Sequence, residues 1–428
     1  MKRFKFLGIL ALTLCIALSV GVFAGVSAAE NEAPKNVILL IGDGMGPNQV
    51  NAAHDHIGED LNMETMPYKG QSSTSNVSGG VTDSAAGGTA LACGVKTVNG
   101  RIGMDSMGNP VSNIREEFAN LGKKTGLVST TNITDATPAA FGAHNMSRSN
   151  QKEIAAEFID KEIDLLMGGG GDQFDTALRN TAANDKGYTI VSHKNELQSF
   201  DGSTKLLALF HGGSFPYYAD GYPEKIPTIA EMTVKAIEIL NQNNDGFFLM
   251  VEGARIDHAC HAQDLARTIS ETIEFDKAVK VAMDFAEQDG NTLVIVTADH
   301  ETGGLQKNGT NYTFSHGNHS GVDVPVFAMG KGAENFQGNM INTDIPNIIR
   351  ALFENDVTEP TESTISENPT TTTDSENPTT TTDSDADPPA KTGENSKFNY
   401  IILFGVAPLS FAIVLAKKRV SGKQTKHF

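Results

Sequence analysis

Short runs of consecutive apolar residues alternate with longer stretches of helical periodicity between about residues 35 and 355. The runs are Val37–Ile41, Lys124–Thr130, Leu165–Gly168, Lys205–Phe210, Phe247–Glu252, Leu293–Ala298 and Val324–Gly330. They are nearly uninterrupted hydrophobes rather than alternating ones, as strands are when both sheet faces are covered. Between them, Ile114–Leu121, Glu153–Ile159, Ile229–Leu240 and Leu265–Glu287 carry apolar residues on one helical face. This succession predicts an α/β fold, a three-layer sandwich with a mainly parallel sheet between helices. In such sheets the ligand site lies beyond the carboxyl ends of the strands.

The two ends break the pattern. Lys2, Arg3 and Lys5 precede an apolar run from Phe6 to Val26 and the small residues Ser27-Ala28-Ala29. That order predicts a secretory signal peptide over 1–29. Residues 356–396 are rich in Thr, Ser, Pro and acidic residues, and repeat SENPTTTTD from Ser366 and again from Ser375. Such a segment has too little apolar surface to build a core and is expected to be an extended stalk. Over 397–428, an apolar run from Phe398 to Ala416 is followed by Lys417-Lys418-Arg419, the length of one bilayer crossing with its basic flank on the cytoplasmic side. Pro388-Pro389-Ala390-Lys391-Thr392-Gly393 stands just before it. The string, the apolar run and the basic tail resemble a cell-wall sorting signal, with Pro388 where that signal has Leu. Sortase processing at Thr392-Gly393 and retention of the helix in the membrane both stay open. Either places the body of the chain, 30–355, on the outer surface.

Removing both ends takes away only basic residues, so the portion 30–396 carries 24 Lys and Arg against 52 Asp and Glu, a formal charge of −28. That excess excludes nucleic acid as an expected partner and favours bound cations. Cys93 and Cys260 alone follow the signal segment, too few to imply a disulfide framework.

Four groups of polar residues fall just past predicted strands: Asp43; Asp135 and Thr137; Glu252, Asp257 and His261; and Asp299-His300. One Asp after a strand is usually a turn former or helix cap. Four groups converging on one sheet edge, with imidazoles among carboxylates, exceed what capping explains. Asp257 and His261 are four apart, so a helical turn puts both on one face, and an O,N pair suits zinc. Asp299-His300 offers a second such pair, with Asp43 bridging. An oxygen-rich set of Glu252, Asp135 and Thr137 suits magnesium. Ser84, in Thr82-Asp83-Ser84-Ala85-Ala86-Gly87, opens a predicted helix whose start favours an anion. Taken alone, this stretch reads more readily as an ordinary N-cap, with Asp83 or Ser84 satisfying the helix start. Arg148 offers a planar fork for phosphate oxygens.

Taken in order, Gly42-Asp43-Gly44-Met45-Gly46, Thr82-Asp83-Ser84-Ala85, Asp135-Ala136-Thr137-Pro138, Val251-Glu252-Gly253-Ala254, Thr297-Ala298-Asp299-His300 and His319-Ser320-Gly321 closely resemble the motifs of the alkaline phosphatases. The resemblance covers about residues 35–355. It implies two zinc ions and one magnesium. Asp257, His261 and His319 would hold one zinc, and Asp43, Asp299, His300 and Ser84 would surround the other. Magnesium would fall to Asp43, Asp135, Thr137 and Glu252. It further implies Ser84 as the nucleophile through a phosphoserine, Arg148 as the phosphate clamp, small phosphate monoesters as substrates, and a homodimer. His258 occupies a position that varies in the family. Beside Asp135 it could tune phosphate binding or favour cobalt in place of zinc. His316, three residues before His319, competes for the same ligand role. The competing functions are a phosphodiesterase or phosphonate hydrolase of the same superfamily, and a surface binding or adhesion protein.

Overall fold

The computed structural model describes residues 33–354. The signal-like segment, the stalk and the sorting-like tail lie outside the described residues. No described helix is long and apolar enough to cross a membrane.

Eight strands are labelled in chain order: β1 (Asn36–Ile41), β2 (Tyr68–Ser73), β3 (Lys124–Asn132), β4 (Leu165–Gly169), β5 (Tyr188–Val191), β6 (Lys205–Leu209), β7 (Phe247–Glu252) and β8 (Thr292–Thr297). With the strands Val324–Gly330 and Gly338–Ile341 they form one ten-stranded sheet. Its order is Gly338–Ile341, β2, Val324–Gly330, β8, β1, β7, β3, β4, β6, β5. Only Val324–Gly330 runs antiparallel to its neighbours, β2 and β8. All seven apolar runs are strands. The sheet strands that escape the pattern are β2, β5 and Gly338–Ile341. Of these, Gly338–Ile341 is the exposed edge of the sheet, and β2 (YKGQSS), second from that edge, is polar with only Ser72 buried; there burial on both faces no longer selects hydrophobes.

Alternate residues of the central strands feed two cores. Ile38, Leu40, Leu249, Val251, Val294 and Val296 pack on one face with the helices Ile229–Leu240 and Leu265–Asp289. Val37, Leu39, Ile41, Phe248, Met250, Leu293 and Ile295 pack on the other with residues of the helices Ser84–Cys93, Ile114–Asn120, Ala136–Gly142 and Gln151–Asp160. Each such side chain contributes about 1.5–3 kcal/mol on burial, so the strands at the middle of the sheet are its most firmly held part. Cys93 and Cys260 are free thiols in these opposite cores and do not pair.

Parallel registry brings chemistry to one edge. Ile41 lies beside both Glu252 and Thr297, and Ser129 lies beside Glu252. Asp43, Glu252 and Asp299 therefore leave neighbouring strands at the same level.

Candidate active site

The nucleophile candidate sits at the first residue of the helix Ser84–Cys93. Asp83 caps it, accepting from Ala86 N at 3.0 Å. The cap and the nucleophile candidate are therefore neighbours, which reconciles the two readings of this stretch. Gly87, one turn into the helix, faces Asp299. A Cβ there would stand 2.8 Å from the Asp299 carbonyl oxygen, so the small residues let the helix approach the β8 end. On the other side Gly44 adopts φ +73°, and a Cβ would stand 2.9 Å from Asp257 Cα. A non-glycine residue at that angle is strained.

Around Ser84, His300 Nε2 lies 3.1 Å from Ser84 Oγ, 3.2 Å from Asp299 Oδ2 and 3.6 Å from Asp43 Oδ1. One imidazole nitrogen carries at most one proton, so it cannot serve three oxygens at once. In a Ser-His-Asp relay the carboxylate would hold the opposite ring nitrogen. Here Nδ1 instead faces Thr302 Oγ1 at 3.3 Å. Convergence of three oxygens and a nitrogen on one point is the arrangement a divalent cation takes. Consistent with that, Asp43 Oδ1 and Asp299 Oδ2 are buried and make no hydrogen bond with the described residues.

Asp257, His261 and His319 form a second group. His261 Nε2 lies 3.2 Å from Asp257 Oδ2, and His319 Nε2 lies 3.6 Å from Asp257 Oδ1. The two imidazole Nε2 atoms stand 3.1 Å apart, while their Nδ1 atoms face the backbone oxygens of Gly317 and Thr82. Carbonyl oxygens only accept, so in the neutral rings both Nδ1 atoms carry the proton and both Nε2 lone pairs point inward. His316 stays outside this group, its Nδ1 accepting from Asn318 N. Thr302, which the sequence reading did not single out, donates to Asp257 Oδ1 at 2.5 Å. No spacing in the sequence marks it.

A third, oxygen-rich corner holds Glu252 and Thr137. Ser129 Oγ, also unanticipated, donates to Glu252 Oε2 at 2.5 Å. Thr137 Oγ1 is buried near Glu252 without a hydrogen bond of acceptable geometry. Asp135 caps the helix Ala136–Gly142 and accepts from Arg148 Nη2 at 3.1 Å; Asp83 accepts from Arg148 Nη1 at 3.4 Å. The guanidinium is thus held between two carboxylates beside Ser84. His258 lies on the same helix as Asp257, with Asp135 acting on its ring electrostatically.

The electrostatics are those of a site short of positive charge. Burial, then the charges of Asp299, Asp257 and Glu252, push the Asp43 carboxyl well above its ordinary range. Burial likewise raises Glu252 to about 8, with Asp135 and Asp299 adding to it. Its hydrogen bond to Asp257 lifts His261 to about 9. Burial opposes ionisation of Asp257, yet the hydrogen bond with His261 and the neighbouring imidazoles hold its carboxyl below the usual range. Two like charges about 4.8 Å apart repel by roughly 3–4 kcal/mol at an effective dielectric constant near 20. Cations offset that repulsion directly, so the donor set fits divalent metals.

Fold and site together define a class: a hydrolase of the alkaline phosphatase superfamily, built on a three-layer α/β sandwich. The alkaline phosphatase family model matches residues 34–316. Alkaline phosphatase 4 of Bacillus subtilis (strain 168) is 41% identical over 67% of this chain and 68% of its own length. The solved structure of the alkaline phosphatase from the Antarctic bacterium TAB5 superposes with a TM-score of 0.71 at 36% identity, covering 76% of this chain and 98% of that one. A variant of the Antarctic enzyme, with Mg bound in its M3 site, gives 0.70 at 36% identity, covering 76% and 99%. This chain belongs to the alkaline phosphatase family, and it is a phosphatase.

Proposed function

We propose that the chain is an extracellular metal-dependent phosphomonoesterase that works through a phosphoserine at Ser84. The observation that carries this reading is the convergence of Ser84, His300, Asp43 and Asp299 on one point at the carboxyl edge of the sheet. Asp257, His261 and His319 would hold one zinc, and Asp43, Asp299 and His300 the other. Asp43, Asp135, Thr137 and Glu252 would hold magnesium, with cobalt an alternative to zinc. When bound, these ions supply charge that favours the deprotonated serine and offsets negative charge on phosphate.

The chain's own residues do the rest. Ser84 Oγ, at a helix N-terminus, forms the new bond to phosphorus as the ester P–O bond breaks and the alcohol leaves. Arg148, oriented by Asp83 and Asp135, holds the phosphate oxygens. Water then cleaves the phosphoserine and releases inorganic phosphate. Little of this depends on the alcohol portion of the substrate, which supports activity toward many small monoesters.

p-Nitrophenyl phosphate and bis-p-nitrophenyl phosphate, compared from about pH 6 to 10, test the reading. The monoester should be hydrolysed much faster, with the rate rising above neutrality. Preference for the diester would favour the phosphodiesterase reading, and a folded chain inert to both would favour a surface-binding protein.

Arg148→Ala should weaken competitive inhibition by inorganic phosphate about 10- to 100-fold, the scale of a lost charge-assisted contact, with metal content unchanged. Equal losses of both would count against the clamp. The signal-like and sorting-like ends support a tethered location, which cell-wall and membrane fractionation tests. The family resemblance supports a homodimer, which sedimentation tests.

A further inference from the structure

The helix Arg255–His261 carries, beside Asp257 and His261, a guanidinium that the catalytic reading leaves without a task. Arg255 Nη1 lies 2.5 Å from His258 Nδ1. Arg is a donor only, and it stays charged at any working pH. His258 Nδ1 must therefore be the acceptor, and a neutral ring then carries its proton on Nε2. Nε2 makes no hydrogen bond with any described residue, and the Asp135 charge beside Arg148 acts on this ring.

Arg255 is itself held. Its Cζ lies 3.7 Å from the centre of the Tyr217 ring, and Arg267 Cζ lies 4.5 Å from the same centre. Arg267 is fixed by two bonds to Asp220, at 3.1 and 2.8 Å. Tyr217 belongs to the segment after β6 that is tied to the site edge, where Phe215 N donates to Thr130 O at 3.0 Å. It is also tied to the long helix, where Tyr218 N donates to Glu271 Oε1 at 2.7 Å. A guanidinium stacked on such a ring is attracted to its face, which favours one orientation.

We propose that Arg255, seated on Tyr217, is a positioning residue that fixes His258 as an Nε2–H donor facing the phosphate site. The inference rests on the phosphomonoesterase reading and adds to it a residue that sets phosphate affinity without touching phosphate. It is tested on the metal-loaded enzyme at about pH 9 by competitive inhibition with inorganic phosphate, alongside metal content. His258→Ala and Arg255→Met should each weaken inhibition about tenfold, the scale of one lost hydrogen bond. The double variant should be no weaker than His258→Ala alone. Arg255→Lys, still a donor-only cation, should recover most of the loss. Should Arg255→Met fail to fold, Tyr217→Leu should show a smaller loss that likewise vanishes in the His258→Ala background. Ring ¹⁵N spectra, with His258 assigned by its disappearance in His258→Ala, should show a protonated Nε2 and a bare Nδ1. A protonated Nδ1, additive losses, or normal inhibition in Arg255→Met or in His258→Ala would each overturn the proposal. None of these would affect the role of Ser84, whereas wild-type enzyme inert toward monoesters would remove the reading on which the proposal rests.

Discussion

Ser84→Ala is expected to reduce hydrolysis of p-nitrophenyl phosphate by on the order of 10³-fold or more, the scale on which losing a covalent nucleophile registers. It is also expected to end trapping of labelled phosphate on the protein. The change should leave the fold intact. Asp83 supplies the helix cap, the neighbouring helix residues are small and buried, and among the described residues the serine hydroxyl's one hydrogen-bond contact is with His300. Bound metal should persist, because five carboxylates, three imidazoles and Thr137 remain. Labelled phosphate still trapped on Ser84→Ala would remove Ser84 from the nucleophile role. Full loss of metal would instead make it chiefly a ligand.

The second large effect concerns pH. In the metal-free chain Asp43, Glu252 and His261 all have folded pKa values raised above their ordinary ones, with Glu252 at about 8 and His261 at about 9. A raised folded pKa contributes stability that is present below the unfolded value and lost as pH rises through the folded one. For Glu252 that window runs from the ordinary carboxylate range up to about 8, and for His261 from about 6.5 to about 9. Asp257 has the opposite shift. Its contribution is already complete above its unfolded value and does not change across this window. The buried His258 and His300 rings are held below their ordinary value, so their contributions grow up to about pH 6.5 and are constant above it. From about pH 7 to 9 the metal-free chain should therefore melt at progressively lower temperature. The metal-loaded chain should not, because cations replace the protons. Calorimetry on both forms checks this. Melting of the metal-free form that is flat or rises over that range would contradict the electrostatic account of the site.

The same electrostatics explain what could be read from the chain alone. The central strands were legible because burial on both faces leaves Val37–Ile41 and Phe247–Val251 no polar position. Strand β2, second from the sheet's edge and only partly buried, carries no such constraint and went unseen. Asp43, Asp299 and His300 were legible because each directly follows a strand end, and the Asp257–His261 pair because four residues make one helical turn. Ser129 and Thr302 were not, since a hydroxyl supporting a carboxylate has no spacing rule of its own. The choice between His316 and His319 needed the pairing of His319 with Thr302, a contact between segments that no local pattern encodes. Arg255 was invisible for a related reason, because its partner Tyr217 lies across the fold.

The central claim is that this cluster holds metal and that the metal is required for phosphate ester hydrolysis. Elemental analysis of the purified 30–355 portion, with p-nitrophenyl phosphate hydrolysis followed before chelation, after it and after metal is restored, tests it most directly. The account predicts two zinc ions and one magnesium per chain, activity lost on chelation, and activity recovered with metal. A folded chain that binds no divalent metal, or one whose hydrolysis survives complete removal of metal, would contradict it.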